Sequence, residues 1–412
     1  MFSPFGIIVI NALAYILTAY YFYRKNGFTI TTFLFIYISI FSIGSVVLLS
    51  DGLYFEVMES AQFTPNDRIS IIPYILCYIF NFILLAPTHK VNLLSFNSSL
   101  KAKPISSSFY SVIIFIEVVY ALIKILQTFV VSRYGFGVFH DLGSDRQNAI
   151  LYGSFPPLLY INYLGKYVNI VFMPMLLVNQ IISYRHGYCK FKKFSILFYL
   201  YFTNSCLVGL VAGSRAAITF GFLNTLFFYI LFKDALPRYF NKKILKIFFS
   251  AIALMAILFL IISVERMGDR MSGFDGILRY AGESFCNLGY EYWNLCLHHT
   301  GGLYTFGSFV NTDKELLFLL SNVHTYWFAT VYGYLFVDFG SYIPLFISLL
   351  FSLSMRFYLR NGLSQTKICL TLYYFQLCYQ IPFGWGFEPF DLFMIINMLL
   401  LPVIASKFLK IS

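Results

Sequence analysis

Charge is what this 412-residue sequence has least of: charged residues make up 11% of it, against 59% hydrophobic ones. A soluble globular chain carries about a quarter charged residues, so this composition excludes that class and predicts an all-α polytopic membrane protein. Long polar segments are also missing. No stretch between apolar runs is long enough to bury a core of its own, which predicts a single membrane domain over 1–412. No GxxxxGK[ST], HExxH, paired CxxC or Asp-x-Asp pattern occurs. That argues against a bound nucleotide-sugar, a metal centre or any other cofactor. Seven cysteines are present without a disulfide framework. Cys286 and Cys296 fall in one predicted helix, where ten residues separate their α-carbons by roughly 15 Å, too far to bridge.

What the sequence has in abundance is apolar runs of about 20 residues, the length a helix needs to cross a bilayer. Eleven are expected: 5–23, 28–50, 69–86, 105–131, 161–183, 194–212, 216–232, 247–264, 340–359, 368–384 and 391–406. The first lacks a cleavage site of small residues and is read as a retained helix. Aromatic residues are 21% of the chain, as suits lipid-facing and interfacial surfaces.

The basic residues assign the sides. Nineteen collect on the side of Arg24, Lys25 and the Lys190–Lys193 cluster, and eight on the other. By the positive-inside rule the first side is cytoplasmic. The net charge of +11 is then mostly topology and contact with anionic membrane lipids, and nucleic acid is not an expected partner. The outer set is seven arginines to one lysine, the inner set five to fourteen. A guanidinium fork binds phosphate or carboxylate bidentately, so arginine held where positive charge is disfavoured points to an anionic ligand. Salt bridges to the outer carboxylates are the alternative.

Two outer loops, 132–160 and 265–327, attract the functional reading. The second holds Arg266, Arg270 and Arg279, seven carboxylates and three of the six histidines. From Gly276 to His299 its apolar and polar residues separate onto opposite faces of a helical wheel, predicting an amphipathic helix lying on the membrane surface. Its polar stripe runs from Arg279 through Glu283, Asn287 and Glu291 to His298, and His299 lies on the apolar side, as buried packing. The outer segment from Asp51 to Arg68 is acidic and suggests no site, and His140 beside Asp141 reads as a surface pair. Within the fourth span, Glu117 and Lys124 are two turns apart on one face, with Lys166 at a similar depth in the fifth. They read either as the polar floor of an outward cavity or as a structural pair with a snorkelling lysine. Arg215 follows the small-residue turn Val211-Ala212-Gly213-Ser214 at the start of span seven, where free amides and a guanidinium together suit an anion. A snorkelling side chain is the alternative there too.

From about residue 200 to 360 the layout resembles the O-antigen polymerases, the Wzy class of repeat-unit polymerases. The resemblance rests on Gly213-Ser214-Arg215, the long outer loop, Asn322-Val323-His324-Thr325 and Asp338-Phe339-Gly340. His324 stands where that family commonly has tyrosine. The resemblance implies a C-type glycosyltransferase architecture in the bacterial inner membrane, with both outer loops periplasmic. It implies transfer of a growing glycan from undecaprenyl diphosphate to an incoming lipid-linked repeat unit, beside a flippase and a chain-length regulator. The residue types agree: a diphosphate leaving group asks for fixed positive charge, an acceptor hydroxyl for a base, and sugars for aromatic rings.

The expected diphosphate ligands are Arg215, Arg266, Arg270 and Arg279. The expected base is His324, then His298, with Glu291 as the carboxylate candidate. Glu117, Lys124 and Tyr326 are expected to line the cavity. A lipid-linked glycan ligase and a transporter or flippase of lipid-linked oligosaccharides are the competing functions. Transporters tend to show internal repeats, and none is visible here.

Overall fold

The computed structural model describes residues 3–57, 67–90, 106–135, 144–153, 155–211, 215–232, 236–244, 273–306, 314–324, 329–359 and 374–384, with single positions between them. Among these residues the fold is helical and contains no strand. The helices are α1 Pro4–Asn26, α2 Ile30–Ser50, α3 Leu53–Val57, α4 Ile72–Leu85, α5 Ser107–Tyr134, α6 Ser144–Tyr152, α7 Pro157–Tyr167, α8 Met173–Arg185, α9 Phe191–Val211, α10 Arg215–Phe232, α11 Gly273–Asn287, α12 Leu303–Phe306, α13 Lys314–Ser321, α14 Val331–Phe339 and α15 Ile343–Leu359. A π turn, Val168–Phe172, joins α7 to α8, and another, Leu288–Trp293, continues α11.

Local chemistry sets the helix ends. Ser3, Thr29 and Ser106 cap α1, α2 and α5 by accepting from the amides of Gly6, Thr32 and Phe109. Gly27, at φ +71°, turns the chain between α1 and α2.

Four helices, α1, α2, α5 and α9, are long and apolar enough to cross a membrane, and the α7–α8 pair, bent by 41°, makes a fifth if it is one span. The chain is therefore a helical protein with several potential spans. Expected spans 69–86 and 340–359 are apolar helices shorter than that measure. Span 391–406 and all of 247–264 but Ile247, Ser250 and Ile257 lie outside the described residues, and 368–384 is described at Thr371 and from Tyr374.

The chain divides into two compact units. One holds residues 1–93, 275–362 and 374–393, and the other 94–274, 363–373 and 394–412.

In the first unit, α11 departs from its expected place on a membrane surface. It is helical, with its π turn ending at Trp293. But Glu283, Asn287 and Glu291 from the polar stripe are buried, as are Phe285, Leu288 and Tyr292 from the apolar one. Small residues explain the insertion. A Cβ on Gly282 would lie 2.5 Å from the Gly44 carbonyl oxygen, one on Gly44 2.5 Å from that of Ala281, and one on Gly289 2.5 Å from the Tyr74 hydroxyl. Hydrogen bonds follow the close approach: Ser45 Oγ donates to the Gly282 carbonyl at 2.5 Å, Tyr74 to that of Phe285 at 2.9 Å, and Tyr54 to Asn287 Oδ1 at 2.9 Å. The wheel correctly reported two environments, but both are protein.

Gly282→Ala is accordingly expected to destabilise the protein by about 1–3 kcal/mol, the range for overpacking a tight contact. Thermal unfolding in detergent reads this out; a wild-type midpoint would mean that α2 and α11 are free to separate.

In the second unit, α9 and α10 form a hairpin in which a Cβ on Gly221 would meet the Ser205 carbonyl oxygen at 2.8 Å. The helix α5 packs against α7 and α9, with Gly165 beneath the ring of Tyr120.

Candidate functional site

Two stretches of the segment 265–327, around Leu297 and Asn322, meet in the first unit. The Leu297 amide donates to the Ser321 carbonyl at 3.0 Å, and Asn322 Nδ2 to that of Leu295 at 3.4 Å. Asn322 turns the chain with φ +61°, a left-handed conformation that asparagine tolerates better than other non-glycine residues. This turn delivers His324 to Glu291. The His324 amide donates to Glu291 Oε1 at 2.7 Å, and ring Nδ1 lies 2.8 Å from the same oxygen. Glu291 is fully buried, while the His324 side chain keeps 19% exposure. Burial raises the Glu291 carboxyl above the usual carboxylate range, and its bonds from His324 pull it partly back. Glu291 Oε2 has no partner among the described residues.

Glu291 sits in the π turn, a feature found often at functional sites. Around it stands an aromatic wall. Tyr292 stacks on Tyr334 at 5.8 Å, Tyr304 meets Tyr334 edge-on at 5.1 Å, and Trp293 stacks on Phe336 at 4.7 Å.

The Asp338-Phe339-Gly340 element supports this wall from below. Asp338, buried at the end of α14, accepts four hydrogen bonds: Oδ1 from the Thr300 hydroxyl at 2.5 Å and the Tyr304 amide at 2.8 Å, Oδ2 from the Thr305 amide at 2.9 Å and hydroxyl at 2.5 Å. It thus caps α12 from across the fold. Gly340 turns the chain at φ +79°, and a Cβ there would lie 3.1 Å from His299 Nε2.

Of the expected site residues, the structure brings His324 and Glu291 together. Arg279 stays apart from them. Its Nε bonds to buried Glu283 at 2.6 Å, and twelve residues of helix place it roughly 18 Å from Glu291 along the axis. His298 is exposed, so its place on the polar stripe does not carry it inward. His299 is exposed rather than buried, because the helix ends before it; its ring stands edge-on to Phe336 at 5.5 Å. Arg215 opens α10, but its side chain lies outside the described residues, as do Arg266, Arg270, Tyr326 and His140 altogether.

Glu117 and Lys124, both buried in the second unit, do not pair with each other. Glu117 Oε2 accepts from Asn169 and Asn204, and Lys124 donates to Gln127 Oε1 at 3.0 Å.

Sequence reasoning missed the segment Asp51 to Arg68. Tyr54 and Phe55 pack on Tyr290 at 5.4 and 5.5 Å, and the Arg68 carbonyl accepts from Asn294 Nδ2 at 3.0 Å, within a turn of Glu291. The available signal was Arg68 itself. It belongs to the outer arginine excess, but its acidic neighbours hid it.

No family model, no curated protein and no solved structure matches this chain. The functional reading accordingly rests on what the residues can do. A carboxylate that accepts Nδ1–H fixes the histidine tautomer and leaves Nε2 as the proton acceptor, the arrangement of a general base.

Proposed function

We propose that this chain polymerises undecaprenyl-diphosphate-linked oligosaccharide repeat units into a surface polysaccharide such as O-antigen, at the periplasmic face of the bacterial inner membrane. Eleven spans and periplasmic placement of 132–160 and 265–327 belong to this proposal. The observation that carries it is the Glu291–His324 pair, assembled within an arginine-bearing segment between apolar helices.

In the proposed reaction His324 Nε2 takes the proton of the acceptor sugar's hydroxyl. The oxygen attacks the anomeric carbon of the donor glycan, a new glycosidic bond forms, and the bond from that carbon to the diphosphate breaks. The departing lipid diphosphate keeps the electron pair and is stabilised by guanidinium groups. Arg68 joins the candidates for that role because its main-chain carbonyl is held by Asn294, three residues beyond Glu291. Arg215, Arg266 and Arg270 are retained on sequence grounds, whereas Arg279 ranks below them because Glu283 already neutralises it. No metal enters the proposal. A flippase supplying the repeat unit and a chain-length regulator are the proposed protein partners.

The purified protein, reconstituted in nanodiscs with one defined lipid-diphosphate-linked repeat, is expected to make a ladder of products. A single transfer to a non-identical acceptor would assign a ligase. Movement of the lipid-linked unit across vesicles without elongation would assign a flippase, and either result would overturn the polymerase.

A further inference from the structure

Glu117 is a buried carboxylate with no ion-pair partner among the described residues. It lies in α5, fully inaccessible, inside a helix long and apolar enough to cross a membrane. Its Oε2 accepts Asn169 Nδ2 at 3.1 Å and Asn204 Nδ2 at 2.5 Å, and its main-chain carbonyl accepts Asn204 Nδ2 at 3.1 Å. Lys124, two turns away, is engaged by Gln127 and lies 5.5 Å from the Tyr120 ring centre. An ionised carboxylate this deep, without a counter-charge, is strongly disfavoured.

Two further atoms at the same place lack partners. Glu117 Oε1 and Asn204 Oδ1 are both buried, both acceptors, and neither receives a hydrogen bond among the described residues. Asn169 adds an interrupted helix, because it lies in the Val168–Phe172 π turn and Pro174 follows directly. Proline has no amide hydrogen, so the ladder lacks one donor to the carbonyls of this turn. The two unmet side-chain atoms are both oxygens. A proton on Glu117 can be directed at one acceptor, whereas a cation takes several oxygens at once, Glu117 Oε1 and Asn204 Oδ1 among them.

We propose that Glu117, Asn204 and the π turn at Asn169 form a site for one sodium ion. A single positive charge neutralises the single carboxylate, and carboxylate, carboxamide and main-chain oxygens at a broken helix are ligands suited to it. A divalent ion fits less well. It would leave net charge buried, and no group of three or more His, Cys, Asp or Glu side chains suited to a metal occurs among the described residues. The inference does not depend on the polymerase reading.

The test is ion-specific stabilisation of the full-length protein in detergent, with choline chloride holding ionic strength constant. Raising NaCl from 1 to 150 mM is expected to lift the melting temperature by roughly 5 °C, with KCl giving much less. Glu117→Gln should lose the sodium increment. Should that variant fail to fold, saturable binding of ²²Na⁺ to the wild-type protein, at one ion per chain and displaced by NaCl but not choline chloride, carries the proposal. Equal stabilisation by all three salts, stabilisation that follows pH and not sodium, or absence of saturable ²²Na⁺ binding would each overturn it.

Discussion

His324→Ala is expected to lower turnover of a defined lipid-linked repeat by about 10²–10⁴-fold, the usual contribution of a positioned base. The variant should stay folded, because the main-chain amide at 324 still donates to Glu291. Glu291→Gln should produce a similar loss by a different route. The amide keeps the volume but no longer stabilises the imidazolium that forms when Nε2 takes a proton. The pH dependence of stability separates this role from packing. Burial raises the folded Glu291 pKa above its unfolded value, so the folded state holds the proton more tightly. Its contribution is complete below the ordinary carboxylate pKa and declines as pH rises through the raised value. Wild-type protein should therefore lose stability over that interval relative to Glu291→Gln, which has no such titration. The opposite slope in melting temperature would mean that the bonds from His324 outweigh burial. Near-wild-type turnover in both variants would remove this pair from the chemistry.

The largest expected loss of stability follows Asp338→Ala. Truncation strands two amides, of Tyr304 and Thr305, and two hydroxyls, of Thr300 and Thr305, in a site that water does not reach. Each unmet donor costs about 1–3 kcal/mol, so the sum is comparable to the whole stability of an ordinary domain. Little folded protein should be recovered. Asp338→Asn is the informative partner. The two hydroxyls can rotate to accept from an amide, but a main-chain N–H cannot, so one of the two must face the new NH₂. That single conflict should cost about 1–3 kcal/mol and lower the melting temperature without abolishing turnover. If Asp338→Asn melted like wild type but made no polymer, Asp338 would belong to the chemistry and not to the support beneath it.

By itself, the sequence determined the helical, apolar class and the places of several long helices. Those properties follow from composition and short-range periodicity, and α1, α2, α5, α9 and α10 begin and end within a few residues of the expected runs. It also placed Glu291 and His324 among the candidates, since an ionisable residue beside apolar runs is conspicuous wherever it lies. Only the tertiary structure decided that these two meet, because they are 33 residues apart and joined by a left-handed turn at Asn322 that no periodicity announces. Burial was settled at the same level. The wheel of α11 separates polar from apolar residues, yet the medium on the polar side depends on whether another helix can approach, and that is fixed by Gly44 meeting Gly282. The Arg68 main chain came to Asn294 for the same reason. Its acidic neighbours describe the chain locally, whereas its position is set by the Asn294 side chain, more than two hundred residues away.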